Sequence, residues 1–198
     1  MRKRSRHVSL AILGAAAFSL AGCKSQETEA QAFPDEASCI AAAKDGNLFF
    51  TESDCNAAFA QAEQDHLETA PRYDSLEVCE EEHGAGNCGG DPAASEGSGG
   101  GGSIFMPLMM GYLIGNALSG NRGIMSQPLS RTANGGFATP SGDTRLGTNN
   151  GAGRAPATAF NKAPTTMGQP PMTRAQVAQR GGFGKTAASR GATRGIGG

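Results

Sequence analysis

The stretch Phe33-Pro34-Asp35-Glu36-Ala37-Ser38-Cys39 decides the fold prediction, because Tyr73-Asp74-Ser75-Leu76-Glu77-Val78-Cys79 repeats its pattern. In both stretches an aromatic residue lies six positions before a cysteine, and a second cysteine, Cys55 or Cys88, closes the unit. Four such cysteines in an oxidising compartment predict two disulfides and leave three pairings open. The repeat favours the pairs Cys39–Cys55 and Cys79–Cys88, so that each unit carries its own bridge.

Helices are predicted between these cysteines. The first runs from about Asp35 to Lys44, and the second from about Asp54, as its cap, to Thr69, before a proline. The third starts at Asp74 and ends at Gly84. The predicted fold class is therefore a small all-α, disulfide-stapled helical head, residues 33–91, with a long disordered Gly/Arg-rich tail. The head is expected to bury these apolar side chains around the disulfides: Phe59, Leu67, Leu76 and Val78.

Residues 1–22 are typical of a lipoprotein signal peptide, with a positively charged start and an uncharged apolar run too short to span a bilayer. The run ends at Leu20-Ala21-Gly22-Cys23, which has the order of a lipobox. Acylation of Cys23 with three chains is expected to anchor the protein firmly. Residues 23–32 are then a lipidated tether. The residue after Cys23 is Lys24, and an Asp at this position would favour retention in the inner membrane. The absence of that Asp favours the periplasmic face of the outer membrane.

The net charge of −1 hides an opposition between two parts of the chain. Residues 24–96 carry 17 acidic and 3 basic side chains, whereas residues 121–198 carry 10 basic and 1 acidic. The two parts should attract each other or separate partners. Large apolar residues are isolated in residues 120–198, which predicts a disordered basic tail. The tail is either merely solvated or binds anionic lipid or peptidoglycan; nucleic acid is not an expected partner. The candidate anion-binding residues are Arg174, Arg180, Arg190 and Arg194.

A Gly/Ser linker, residues 92–103, leads to the most apolar stretch of the mature chain, residues 104–119, which is predicted to form an apolar helix. Small residues recur in it at every fourth position, a spacing that suits close helix packing. Three roles stay open: a cover for the head, a helix that docks on a partner, or a segment in the membrane interface. The candidate docking residues are Met106, Pro107, Leu108, Gly111, Tyr112 and Gly115.

Catalytic and metal-binding motifs are missing from the sequence: neither a G-x-S-x-G elbow, nor a P-loop, nor the frame of a triad occurs. His66 and His83 are the candidates for such chemistry. His83 follows Cys79 by four residues, but a bridged cysteine is a poor ligand, and neither C-x-x-C nor H-x-x-x-H supports a site. We therefore predict that the protein is not an enzyme and binds neither a cofactor nor a metal. An enzyme or metal carrier that uses His66 or His83 is a less favoured hypothesis.

The lipobox, the two cysteine units and several shorter motifs occur in one order along the chain. The shorter motifs are Ala70-Pro71-Arg72-Tyr73, Met106-Pro107-Leu108-Met109, Gly111-Tyr112 with Gly115, and Arg180-Gly181-Gly182-Phe183-Gly184. In this combination the chain resembles the YgiB family of bacterial lipoproteins, a domain of unknown function (1190).

The resemblance implies a location in the cell envelope and gives a role to Cys23 alone, as the lipid attachment site. Some members are encoded beside an ATP-grasp enzyme similar to glutathionylspermidine synthase. The predicted function is a non-enzymatic envelope lipoprotein that binds an envelope protein or an anionic polymer. The alternative is an accessory partner of an envelope-associated enzyme.

Overall fold

The fold is mixed α/β, as seen in a computed structural model that describes residues 27–46, 50–93, 103–116 and 123–180. Six strands form a curled antiparallel sheet in the order β7-β6-β5-β4-β1-β8, and β2 and β3 form a separate ribbon. The strands are β1 (Glu27–Phe33), β2 (Cys88–Gly90), β3 (Phe105–Pro107), β4 (Met109–Asn116), β5 (Ile124–Arg131), β6 (Phe137–Ala138), β7 (Arg145–Leu146) and β8 (Gly151–Pro156). The helices are α1 (Glu36–Lys44), α2 (Glu52–Thr69), α3 (Leu76–His83) and α4 (Arg174–Arg180), with a 3-10 turn at Ala157–Phe160.

The prediction of an all-α head with a disordered tail is wrong, because the sheet combines three parts of the sequence. Strand β1 consists of the last six residues of the predicted tether and Phe33, the first residue of the predicted head. It pairs on one side with β4, from the predicted apolar helix, and on the other with β8, from the predicted disordered tail. Gly111 lies at an irregularity in the β4–β5 pairing with φ of +133°, a backbone conformation that a helix interior does not contain. The helix predicted over 104–119 is therefore wrong. Because both faces of β4 are buried, its sequence lacks the alternation of apolar and polar residues that would indicate a strand.

The sheet buries a different core on each face. On one face, strands from both halves of the chain each add one or two residues to a shared cluster, the Phe160 cluster, which also includes Phe160 from the 3-10 turn. On the opposite face, helices α1 and α2 cover Phe33, Tyr112 and Ile114. Isolated apolar residues can therefore build a core when the strands that carry them are neighbours. The Phe160 cluster is Ala30, Ala32, Leu113, Leu129, Phe137, Ala155, Ala159 and Phe160.

The helices of the head agree with the prediction in position, and their caps explain the differences. Asp35 caps α1 by accepting a hydrogen bond from the backbone N–H of Ser38. Helix α2 begins at Glu52, earlier than predicted, because Thr51 is its N-cap and Asp54 is the reciprocal partner of a capping box. Ser75 caps α3, which therefore starts later than Asp74. Of the apolar side chains expected inside, Val78 is buried, but Leu67 is 42% exposed.

The two disulfides join Cys39 to Cys55 and Cys79 to Cys88, the pairing that the internal repeat favours. The first links α1 to α2 under the sheet. The second links α3 to β2 of the ribbon. Each bridge therefore fastens a helix to a neighbouring element of its own repeat unit.

Substitution of Gly115 in β4 tests the packing of the Phe160 cluster. A Cβ atom on residue 115 would overlap the ring of Phe160, whereas a Cβ on Gly153 of β8, on the far side of the same row, meets nothing within 4 Å. Overpacking of this kind costs about 1–3 kcal/mol. We expect Gly115→Ala to lower the free energy of unfolding by that amount in urea titration and Gly153→Ala to leave it nearly unchanged. Equal effects of the two substitutions would contradict this packing.

Candidate functional site

A cleft of about 610 Å³ lies between the α2–α3 connection, the loop after β6 and the chain that follows the 3-10 turn. This volume is in the range typical of ligand-binding clefts. Prolines and Val177 supply apolar surface, and ionisable and hydroxyl side chains supply polar groups. The polar lining includes Arg72, Glu82, Asp143, Arg145, Thr165 and Thr166. The site therefore combines both signs of charge with apolar contact area.

Arg72 lies at the base of the cleft and is only 4% exposed. Its Nε donates to Asp91 at 2.5 Å, its Nη2 to the carbonyl of Leu67 at 2.7 Å and its Nη1 to the hydroxyl of Thr166 at 2.5 Å. The side chains of Arg72 and Asp91 are each 3% exposed, so the ion pair is buried. The last carbonyls of a helix have no hydrogen-bond donor within the helix. Arg72 supplies such a donor to the carbonyl of Leu67 at the C-terminal end of α2.

One wall of the cleft is a segment that we call the strap, residues 161–173. Thr166 donates its backbone N–H to the carbonyl of Glu68 at 2.9 Å, and Met172 donates its backbone N–H to the carbonyl of Arg72 at 2.7 Å. Lys162 contacts the carboxylates of Asp65 and Glu68, both at 2.7 Å. Hydrogen bonds to these two carboxylates raise the pKa of Lys162 to about 12, and the same contact with Lys162 lowers the pKa of Glu68. The strap is thus attached to the C-terminal part of α2 and to the α2–α3 connection that follows it.

Charge opposition between head and tail is partly neutralised within the fold. Arg154 contacts Glu27 at 3.9 Å, Lys162 contacts Asp65 at 2.7 Å, and Arg174 contacts Glu81 at 2.7 Å. In each of these pairs a cation of the predicted tail meets a carboxylate of the acidic part. Attraction between the two parts, one of the outcomes expected from the sequence, therefore occurs within one domain.

His83 is buried beside the cleft, and both of its ring nitrogens are hydrogen-bonded. Nδ1 donates to the carbonyl of Arg131 at 2.7 Å, so Nε2 of the neutral ring accepts from the Tyr73 hydroxyl at 2.9 Å. Burial lowers the pKa of His83 to about 4. This network joins α3 to β5 and leaves the ring no free nitrogen for a metal ion or a proton-transfer role.

His66 of α2 is also buried, and its Nε2 donates to the carbonyl of Pro107 at 2.9 Å. Its Nδ1 is buried without a hydrogen-bond partner among the described residues. Burial lowers the pKa of His66 to about 4, and the nearby charge of Arg72 acts in the same direction. Within the described ranges, no group of three or more His, Cys, Asp and Glu side chains is placed to hold a metal ion.

These two histidines predict a loss of stability in acid. Their folded-state pKa of about 4 is below the unfolded value of 6.5, so the unfolded chain binds more protons between these limits. Stability is therefore fully present above pH 6.5 and falls as the pH drops towards 4. From pH 7 to pH 5 we expect a loss of about 2 kcal/mol for each histidine, measured as the free energy of unfolding in urea. A value that stays constant over this interval would contradict the burial of neutral rings.

The predicted docking residues lie mostly inside the fold, which corrects their assignment as a docking face. Met106 and Tyr112 are 4% and 0% exposed, and Pro107 is also buried. Gly111 and Gly115 accept the close approach of the Phe33 carbonyl and the Phe160 ring. Of the six residues, Leu108 is exposed, at 44%. The stretch does cover the cysteine head, but it does so as strands.

The other predicted sites have different outcomes. Arg174 lies at the start of α4 and contacts Glu81, so its charge has a partner within the chain. The signal peptide, Cys23, Arg190 and Arg194 lie outside the described residues, as do the side chain of Arg180 and most of the linker 92–103. Sequence reasoning missed the cleft, because its walls come from segments without local periodicity.

Comparison with known proteins decides which family this domain represents. The family model described as "Protein of unknown function (DUF1190)" matches residues 27–194. This chain belongs to the DUF1190 family. The DUF1190 match begins at the first residue of β1 and extends beyond α4, so the family unit includes both the cysteine head and the predicted tail.

Relatives of this DUF1190 chain match over nearly its whole length. It is 30% identical to a UPF0441 protein of Pectobacterium carotovorum subsp. carotovorum, over 93% of this chain and 83% of the relative. It is 32% identical to a UPF0441 protein of Erwinia tasmaniensis, over 94% of this chain and 84% of the relative. No solved structure matches the chain. None of the helices in the described ranges is long and apolar enough to cross a membrane.

Proposed function

We propose that this protein is a non-catalytic lipoprotein of the bacterial cell envelope, anchored through Cys23, which binds a polypeptide segment of an envelope partner in its cleft. The observation that carries the proposal is the cleft itself. Its walls are the strap, the loop after β6 and the α2–α3 connection, and the strap is hydrogen-bonded to that connection on both sides of Arg72. A preformed cleft of this kind binds without the entropic cost of ordering its walls.

The chemistry of the cleft favours a polypeptide over an anionic polymer. Glu82 and Asp143 lie among the lining residues together with Arg72 and Arg145, so the surface is not uniformly basic. A peptide carries hydrogen-bonding groups along its backbone and side chains of both charges, which such a lining can match. Arg154, Lys162 and Arg174, three cations of the predicted tail, already contact carboxylates of this chain.

The non-catalytic part of the proposal is supported by the state of the reactive groups. All four cysteines of the described residues are disulfide-bonded, and the buried His83 uses both ring nitrogens. The envelope location is supported by the lipobox ending at Cys23 and by the two disulfides, which form and persist in oxidising compartments.

Photo-crosslinking in living cells tests the proposed cleft. A photo-reactive phenylalanine analogue replaces Gln169, which lines the cleft, or Asn56, an exposed residue of α2 that is not among the lining residues. We expect a discrete adduct from position 169 that protease destroys and lysozyme does not, and no such adduct from position 56. A lysozyme-sensitive smear would favour peptidoglycan instead. No adduct at position 169, or identical adducts at both, would contradict peptide binding in the cleft.

Metabolic labelling tests the proposed anchor independently. Radioactive palmitate should label the wild-type chain and leave Cys23→Ser unlabelled, because that substitution removes the only proposed acylation site. The variant should also leave the membrane fraction. Labelling that persists in Cys23→Ser would overturn the anchor.

A further inference from the structure

One end of the sheet contains the start or the end of each of its four longest strands. Glu27 begins β1 opposite Pro156 at the end of β8, and Asn116 ends β4 opposite Ile124 at the start of β5. The Thr28 hydroxyl donates to the carbonyl of Asn116 at 2.9 Å, which joins these two pairs. We call this end of the sheet, defined by Glu27, Asn116, Ile124 and Pro156, the proximal end.

The cleft lies towards the opposite end of the sheet. Strand β4 begins there at Met109, paired with Ser130 near the end of β5. Tyr73, which lines the cleft, pairs with Phe105 of the ribbon strand that leads into β4. Glu82, another lining residue, accepts at its backbone carbonyl a hydrogen bond from Ala133, just beyond β5. The length of β4 between the two ends is about 25 Å, at about 3.3 Å per residue.

The chain between the proposed anchor and the sheet is very short. Glu27 follows Cys23 by four residues, and four consecutive Cα steps span at most about 15 Å at 3.8 Å each. This upper limit holds for any conformation of the intervening residues. The reach of the tether is therefore smaller than the length of β4.

From these two lengths we infer that the proximal end faces the lipid headgroups and that the cleft is directed away from the bilayer. The inference rests on the proposed acylation of Cys23. The occupant of the proximal surface is the headgroup layer of the membrane that holds the acyl chains, and the partner of the cleft approaches from the aqueous side. The fold thus acts as a spacer as well as a binding domain.

Energy transfer from a single tryptophan to headgroup dyes tests the orientation, because the chain contains no native Trp. Asn116→Trp puts a donor at the exposed proximal end, and Leu108→Trp puts one at a 44% exposed position just before β4. Each full-length lipidated variant is reconstituted in phosphatidylethanolamine–phosphatidylglycerol vesicles containing dansyl-labelled headgroups. Since the positions differ by about one strand length, we expect transfer from Asn116→Trp to exceed that from Leu108→Trp roughly twofold or more.

A lengthened tether is the matched control. Twelve inserted Gly and Ser residues between Gln26 and Glu27 extend the reach by roughly 40 Å and should abolish the difference. Equal transfer from the two short-tether variants, or greater transfer from Leu108→Trp, would overturn the orientation while leaving the lipid anchor intact. Failure of wild-type protein to acquire acyl chains or to associate with vesicles would instead overturn the proposed function, and the orientation with it.

Discussion

Replacing Arg72 by alanine is expected to lower the free energy of unfolding by about 3–5 kcal/mol, the cost of breaking a buried ion pair from one side. The substitution leaves the Asp91 carboxylate 3% exposed without its cation. It also removes the donors to Leu67 and Thr166, which hold the end of α2 and the strap. Arg72→Lys should fail to restore stability, because an ammonium cannot reproduce the fork of a guanidinium. Urea titration of the oxidised protein measures the change.

The matched control is Arg174→Ala, which removes a cation from an exposed pair. The side chains of Arg174 and Glu81 are 64% and 51% exposed. Solvent-exposed ion pairs contribute about 1 kcal/mol or less to the free energy of unfolding, so the stability of this variant should differ little from that of the wild type. Equal losses for Arg72→Ala and Arg174→Ala would contradict the central place of Arg72. Protease cutting within the strap should also increase in Arg72→Ala alone, since the strap loses the hydrogen bond that Arg72 donates to Thr166.

Removal of the two disulfides is also expected to cause a large loss in the free energy of unfolding. The Cys39–Cys55 bridge spans 16 residues and the Cys79–Cys88 bridge spans 9. In the chain-entropy model a loop of about 15 residues contributes about 3 kcal/mol, and a shorter loop contributes somewhat less. Since small domains have total stabilities of about 5–15 kcal/mol, a chain without both bridges should lose most of its stability. We expect each paired Cys→Ala variant to fold with a lower urea midpoint and the fourfold variant to be largely unfolded.

The test of the disulfide prediction separates the two bridges. The Cys39→Ala/Cys55→Ala variant should retain the ribbon and α3, whereas Cys79→Ala/Cys88→Ala should retain the contact of α1 with α2. Urea midpoints that are unchanged by adding a reductant to the wild-type protein would contradict a structural role for these bridges. Peptide mapping that joins Cys39 to Cys79 or Cys88 would contradict the pairing itself.

The parts of the structure that follow local rules are those that the sequence predicts. Caps such as Asp35, stops such as Pro71 and the repeated aromatic-to-cysteine spacing place α1, α2 and α3 within a few residues. The same repeat favours the observed disulfide pairing. These signals lie within one turn of helix or one repeat unit, so they are visible without the tertiary structure.

The sheet and the cleft depend on contacts between distant residues, which leave weak signals in the sequence. Strands β6 and β7 contain two residues each, and β8 is Gly-Ala-Gly-Arg-Ala-Pro, so none of them shows a usable alternation. The turn residues Pro140, Ser141 and Gly142 between β6 and β7 are a hairpin signal that could have been used. The Arg72–Thr166 contact joins residues 94 positions apart, and nothing near either residue predicts it.

Hydrogen exchange most directly tests the central claim that the acidic head and the basic tail form one domain. Amides of paired strand residues open only with global unfolding when the strands belong to the stable core. We expect the amides of Ala32 in β1, Leu113 in β4, Gln127 in β5 and Ala155 in β8 to share the slowest exchange class, with similar free energies of opening. Exchange of residues 124–160 at the rates of an unstructured chain, beside a protected head, would contradict it.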